Sequence, residues 1–292
     1  MTLKNKKISF TILICLMLVS IFKIPGTRST QAAKSDSGDI LWKGNVIVHR
    51  GYYTAPQNSL QSILEAKKKG FTMCEVDPRR SADGVIIMNH DETFVSDGKR
   101  YVIEDTDSDE LLSLKNGNER FPDAGLCTLE EMLELCNLTG MSLKIDQKIK
   151  SADFEKTVAG TVMRYGLQEQ CIFTCADVTY AQAVKSIYET AACSVNYKKL
   201  ESETALDKYT AYSDMYVEIP VSEIDDDSLK ILESEAERGY KIYVYNVSHQ
   251  DIERAMLAHP YHIEPASGEE KYDFYKLIGE YAKDKYSKLE WD

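Results

Sequence analysis

The feature that most constrains this chain is a repeated alternation of short apolar β-rich runs with amphipathic helical stretches. The runs fall at Asn45–His49, Phe71–Val76, Val85–Met88, Ser142–Ile145, Cys171–Phe173, Ala192–Val195, Met215–Ile219 and Lys241–Tyr245, with a weaker one at Tyr261–Ile263. Helical periodicity occupies Ser59–Lys69, Thr128–Leu138, Ala152–Tyr165, Val178–Thr190 and Asp227–Arg238, and Thr128 with Glu131 has capping-box spacing. Strands alternating with helices imply βα units and a mainly parallel sheet. Eight units over roughly 250 residues suit an α/β (β/α)8 TIM barrel better than an open doubly wound sheet. The Gly-rich nucleotide fingerprint of the open sheet is absent after the first strand. Residues 92–126, acidic and irregular, read as a small insertion over one mouth of the barrel.

The N-terminus is of a different composition. Lys4, Lys6 and Lys7 precede an apolar run from Ile8 to Phe22, and Lys23, Pro25 and Gly26 follow it. That order reads as a secretory signal or an N-terminal anchor over residues 1–33, and the run falls short of the ~20 residues of a comfortable transmembrane span. A polar linker at residues 34–39 then leads into a domain at residues 40–292. The expected destination is secreted or extracytoplasmic, with membrane attachment only through an uncleaved N-terminal segment.

The full chain carries a net charge of −12 at pH 7, and removing the five basic residues of positions 1–33 leaves −17. So acidic a body excludes nucleic acid as a partner, because phosphate neutralisation needs Lys and Arg. A small phosphate ester stays compatible, since a bound divalent cation inverts the local field. The six cysteines beyond residue 33 sit mostly inside apolar runs and read as core thiols, without zinc spacing.

Functional groups of a barrel gather at the C-terminal strand ends, and here those ends are polar: His49-Arg50-Gly51, Glu75-Val76-Asp77, Asn89-His90-Asp91 and Lys144 to Lys148. Glu75 and Asp77, two apart on a strand, point to one face. Paired acids of this kind suit either a solvated edge or a hard cation, Mg2+ or Ca2+, held between oxygens. Too few residues separate Asp77 from Val85 for a parallel crossover, and Asp83-Gly84 is a hairpin turn signal. A returning antiparallel strand, with paired residue numbers summing to about 166, would set His90 opposite Val76 and beside both acids. The hairpin also explains nine strand-like runs in an eight-stranded barrel.

In order along the chain, His49-Arg50-Gly51, Pro56-Gln57-Asn58-Ser59, Glu75-x-Asp77, Asp83-Gly84 and His90-Asp91 resemble the glycerophosphodiester phosphodiesterase family. The likeness is strong in the N-terminal half, includes Lys144–Lys148, and is mostly architectural beyond about residue 175. It implies a barrel with one divalent cation, Ca2+ or Mg2+, that hydrolyses glycerophosphodiesters to glycerol 3-phosphate and an alcohol. It further implies His49 and His90 as the acid–base pair, Arg50 and Lys148 as phosphate contacts, and Glu75, Asp77 and Asp146 as metal ligands. Two other outcomes suit the same barrel: a lyase-type phosphodiesterase that forms a cyclic phosphate, and a non-catalytic phosphoester-binding relative.

The chain departs from the family pattern at four places. Gln57 stands where Glu is usual, and Asp146 replaces the usual Glu, one methylene shorter, so that it reaches an ion either directly or through water. Pro78 follows Asp77 and has no N–H to pair, which predicts a kink or bulge. Tyr245 stands in a late strand where Trp is common, and the last strand near Tyr261–Glu264 is barely legible.

Overall fold

A computed structural model describes residues 46–199 and 215–287. The expected signal or anchor at 1–33 and the linker at 34–39 lie outside the described residues. Eight parallel strands make the barrel: β1 (Ile47–Val48), β2 (Met73–Val76), β7 (Ser142–Asp146), β8 (Cys171–Cys175), β9 (Ala192–Asn196), β10 (Met215–Pro220), β11 (Lys241–Val247) and β12 (His262–Pro265), adjacent in that order. A parallel bridge from Val46 to Ile263 closes the ring. Helices α1 (Leu60–Lys68), α3 (Leu129–Thr139), α4 (Ala152–Arg164), α5 (Val178–Lys185), α6 (Asp226–Glu237), α7 (Ile252–Leu257) and α8 (Phe274–Ser287) accompany it.

Helix starts follow their side chains. Ser59, Ser151 and Asp177 accept N–H bonds at the caps of α1, α4 and α5. Thr128 and Glu131 close the expected capping box on α3, and Asp225 with Ser228 makes another on α6. These bonds satisfy donors that a helix cannot pair internally.

Strand alternation then sorts side chains onto two faces. Cys74, Val76, Leu143, Ile145, Phe173, Val195, Val217, Ile219 and Val244 join the large core shared with the helices. Ile47, Ile172, Tyr216 and Tyr243, with Met73 and Ala192 against them, form a separate cluster, the apolar floor inside the ring. Two residues further along those strands stand His49, Glu75, Thr174, Glu218 and Tyr245, all on the wall of one cavity. The barrel interior thus changes from apolar to ionic within one step of the strand repeat.

The hairpin forms as β3 (Pro78–Arg80) and β4 (Ile86–Met88), antiparallel in a sheet of its own, with Pro78 opposite Met88, Arg79 opposite Ile87 and Arg80 opposite Ile86. Each pair sums to the expected 166. Pro78 marks the point where the chain leaves the barrel sheet, which ends at Val76 on this strand. Asp83 ties the turn to the following segment: it accepts from the Ser81 hydroxyl at 2.6 Å, and from the Ser108 hydroxyl at 2.6 Å and backbone N–H at 2.9 Å.

The stretch expected to be irregular is ordered. It holds a second hairpin, β5 (Thr93–Ser96) and β6 (Lys99–Val102), and a short helix, α2 (Ser108–Ser113). Asp97 and Gly98 both take positive φ, 50° and 75°, as a two-residue turn of the mirror-image type requires. Ile87, Ile103, Leu111 and Leu114 make a small satellite core beneath it, with Phe94 and Tyr101 packed against them. All six cysteines of the described residues are free and buried.

Candidate functional site

Strand ends β1, β2 and β7 bring five of the seven candidate residues to one cavity of about 280 Å³, the hairpin adds His90, and Asp77 lies buried directly behind the wall. The lining is His49, Arg50, Glu75, His90, Lys144, Asp146, Lys148, Thr174, Glu218, Tyr245, Asn246 and Glu264. Apart from Tyr245 it is polar throughout.

The turn after β1 is shaped for this. Arg50 and Gly51 both have positive φ, 56° and 78°, and a Cβ on Gly51 would come within 2.1 Å of the Ser62 hydroxyl on α1. Only glycine permits that approach. The turn directs the Arg50 N–H to Glu75 Oε2 at 2.9 Å, while the guanidinium lies with Nε 3.5 Å from Asp77 Oδ2 and Nη1 donating to Gln57 Oε1 at 3.2 Å. Gln57 in turn donates to the Ser267 hydroxyl at 3.3 Å, so the neutral amide that replaces the family's Glu bridges Arg50 to the loop after the neighbouring strand β12.

Asn58 is the least legible part of the site in sequence. Its backbone is held at φ 56°, and its amide meets Asp77 twice: Nδ2 donates to Oδ2 at 2.6 Å, and Oδ1 accepts from the Asp77 N–H at 2.9 Å. The carboxylate is therefore fixed from behind. Lys148 Nζ approaches Asp77 Oδ1 at 2.9 Å and also bonds Asp146 Oδ2. Burial resists ionisation of Asp77, but Lys148 and the bonds from Asn58 hold its carboxyl below the usual range.

Glu75 behaves oppositely. Burial first, and then the charges of Asp77, Glu264 and Asp146, push its carboxyl well above the ordinary range. Its Oε1 is buried and has no hydrogen-bond partner, an oxygen pair half unsatisfied in a crowd of like charge. A cation is what such a cluster calls for. One oxygen each from Glu75, Asp77 and Asp146 lies within 4.8 Å of the others, which suits a hard divalent ion. Asp146, though shorter than Glu, reaches this convergence point itself. A second group, His49, Glu75 and Glu264, also converges within 4.8 Å, but it includes a nitrogen and shares Glu75.

His49 Nε2 is 3.9 Å from both Glu75 Oε2 and Glu264 Oε1. Burial, followed by the Arg50 charge, lowers its pKa from 6.5 to about 4, so the imidazole is neutral at pH 7. His90 reaches the wall on the continuation of β4. Its Nδ1 is paired with Asp91 Oδ1 at 2.7 Å, and its carbonyl accepts from Arg79 Nε at 3.0 Å. The hairpin therefore delivers the imidazole to the cavity, but its bond goes to Asp91 rather than to Glu75 or Asp77.

The sequence reading did not single out Glu218, Glu264 or Thr174 for a role. Lys144 Nζ lies 3.4 Å from Glu218 Oε2, 3.9 Å from Glu264 Oε2 and 4.3 Å from the Tyr243 ring centroid, and the Tyr243 hydroxyl bonds Glu264. The signal was present: a charged residue inside an apolar strand, as in Ser-Leu-Lys144-Ile-Asp and Met-Tyr-Val-Glu218-Ile-Pro.

Comparisons with known proteins bear on this arrangement. The sequence profile of the glycerophosphoryl diester phosphodiesterase family matches residues 49–264. Glycerophosphodiester phosphodiesterase 1 from Mus musculus is 30% identical over 142 residues, covering 46% of this chain and 41% of that protein. The chain thus matches less than half the length of that curated relative. Among solved structures, the fold is similar to a glycerophosphodiester phosphodiesterase from Agrobacterium tumefaciens (TM-score 0.62, 19% identity, 81% of this chain and 99% of the other). It is also similar to an Oleispira antarctica phosphodiesterase in complex with the product sn-glycerol-3-phosphate (TM-score 0.63, 19% identity, 82% and 96%). At these identities the solved structures speak for the barrel fold alone, whereas the profile spans most of the chain, from His49 to Glu264: the chain belongs to the glycerophosphoryl diester phosphodiesterase family.

Proposed function

We propose that this chain hydrolyses glycerophosphodiesters to glycerol 3-phosphate and an alcohol, with a divalent cation, Ca2+ or Mg2+, held by Glu75, Asp77 and Asp146. The observation that supports the reading is the convergence of His49, His90, Arg50, Lys148, Glu75 and Asp146 on one small cavity, with Asp77 buried beside Glu75 and Asp146. When bound, the cation would draw charge from the non-bridging phosphate oxygens, a Lewis-acid contribution.

The protein's own groups supply the rest. His49, neutral at pH 7, accepts the proton of the attacking water as the new O–P bond forms. His90 donates a proton to the departing alkoxide as the old P–O bond breaks, and Asp91, bonded to its Nδ1, fixes the ring. Arg50 offers a planar fork to the phosphate, its orientation set by Gln57 and Asp77. Lys148 adds a point charge between Asp77 and Asp146. These donors are held before substrate arrives, which is what electrostatic stabilisation of the transition state requires.

Export fits the reading, with Lys4, Lys6, Lys7 and the apolar run from Ile8 to Phe22 as its signal or anchor. The test is an enzyme-coupled assay for glycerol 3-phosphate over several glycerophosphodiesters. Release should stop with EDTA and return with added Ca2+ or Mg2+. Full release by the His49→Ala, His90→Ala double variant would sink the proposal.

A further inference from the structure

Of the seven candidate residues, His90 has the most exposed side chain, at 35%, and the Asp91 carboxylate on its Nδ1 is exposed as well. A contact so open to solvent fixes a ring only weakly. The segment that carries the ring is held through its backbone. The Asn89 N–H donates to the Asp77 carbonyl at 2.8 Å, and Asn89 Nδ2 donates across the loop to the carbonyls of Asp91 at 2.6 Å and Thr93 at 3.3 Å. Between them, the His90 carbonyl takes Arg79 Nε at 3.0 Å.

Arg79 is buried on β3, opposite Ile87, and is not on the cavity wall. A buried guanidinium persists only where its charge is met, and here Nη1 donates to Glu104 Oε1 at 3.0 Å. Glu104 sits on the 3-10 turn Ile103–Asp105 that follows β6. That turn is itself anchored, because Ile103 is fully buried and its N–H donates to the Glu92 carbonyl at 2.9 Å. Just beyond it the Thr106 carbonyl accepts from the Ala82 N–H at 3.0 Å, and Ser108 bonds Asp83. The stretch from Ile103 to Ser108 thus grips the first hairpin at its middle and at its turn.

We infer that Arg79 is a positioning residue for His90: its guanidinium ties the His90 carbonyl to Glu104, so that the insertion splints the loop carrying the imidazole. This rests on the reading given under Proposed function, in which His90 protonates the departing alkoxide. The rigid fork of an arginine spans two acceptors at once, which the single ammonium of a lysine does not reproduce. The second hairpin thereby gains a purpose, since the turn that bears Glu104 continues directly from β6.

Paired kinetics on two substrates with different leaving groups test this. Glycerophosphoethanolamine expels an alkoxide, which needs a proton as it departs, whereas bis(4-nitrophenyl) phosphate expels a stable phenoxide that does not. His90→Ala sets the reference, and as the acid it should lose more kcat on the first substrate than on the second. Arg79→Met should show the same bias, with a kcat loss about tenfold greater on the alkoxide substrate and KM within about twofold of wild type. Glu104→Ala, at a half-exposed position, should repeat the bias at a smaller factor and covers the case in which Arg79→Met fails to fold. Equal losses on both substrates in both variants, or no loss, overturn the positioning role. Hydrogen exchange of the amides of residues 89–92, read by mass spectrometry, should quicken in both variants and needs no turnover. Unaltered exchange in both also overturns the inference. A wild type that turns over neither substrate, with quickened exchange in the variants, would count against the reaction and for the splint.

Discussion

The two sides of the cavity are built by different means. On the side of β1, β2 and the first hairpin, functional groups come in short consecutive clusters, and each is braced by a neighbour. His49-Arg50-Gly51 is shaped by a turn no other residue tolerates at Gly51, and Asp77 is clamped by Asn58. On the side of β8, β10, β11 and β12, each strand gives one or two polar residues, and only the assembled ring brings them together. The first side is organised by local backbone geometry and the second by long-range packing. The chemistry proposed for this cavity draws on the first side, where the braced groups meet the demand of preorganisation.

The comparison breaks first at the histidines. His49→Ala and His90→Ala should each lower kcat/KM for glycerol 3-phosphate release by about 10²–10⁴-fold, the usual worth of a positioned acid or base. Comparable losses from Thr174→Val would erase the distinction between the two sides. Next comes the clamp. Asn58→Ala removes both amide hydrogen bonds to Asp77 and should weaken divalent-cation affinity by about 10–100-fold, as removal of an outer hydrogen-bond partner does. Titration of chelated protein with CaCl2 reads this directly.

Lys144→Met probes the opposite wall. It leaves Glu218 and Glu264 buried without their cation, and should cost on the order of 3–5 kcal/mol, read as a melting temperature lower by roughly 6–20 °C. An unchanged melting temperature would mean that the wall is less tightly coupled than its 3.4 Å ion pair implies.

The smallest effect concerns Glu155 on α4, whose side chain bonds Gln147 just behind Asp146. Burial raises its carboxyl from 4.5 to about 9. In the unfolded chain the group ionises near pH 4.5, so the folded state becomes progressively disfavoured as pH rises from there towards 9. Glu155→Gln mimics the neutral form and should raise the melting temperature at pH 8, with no gain at pH 4.

Legibility in the sequence follows the same division. The barrel was readable because its strands and helices keep their own periods, and the hairpin register followed from the Asp83-Gly84 turn and the short spacing from Asp77. The second hairpin carries the same signal in Asp97-Gly98, but its short strands, Thr-Phe-Val-Ser and Lys-Arg-Tyr-Val, were lost in an acidic stretch. Glu218 and Glu264 were illegible for another reason. Each is one charge in an apolar strand, and its meaning depends on Lys144, which is more than seventy residues away in the chain. Asn58 lies in the Pro56-Gln57-Asn58-Ser59 segment, yet its bonds to Asp77 depend on a positive φ that no periodicity encodes.

The central claim is that the cation is held by oxygens of Glu75, Asp77 and Asp146 and not by the overlapping group of His49, Glu75 and Glu264. Calorimetric titration of chelated protein with CaCl2 separates them. One equivalent should bind the wild type and Glu264→Gln alike, and binding should be lost in Asp146→Ala. Retention in Asp146→Ala with loss in Glu264→Gln would contradict the account.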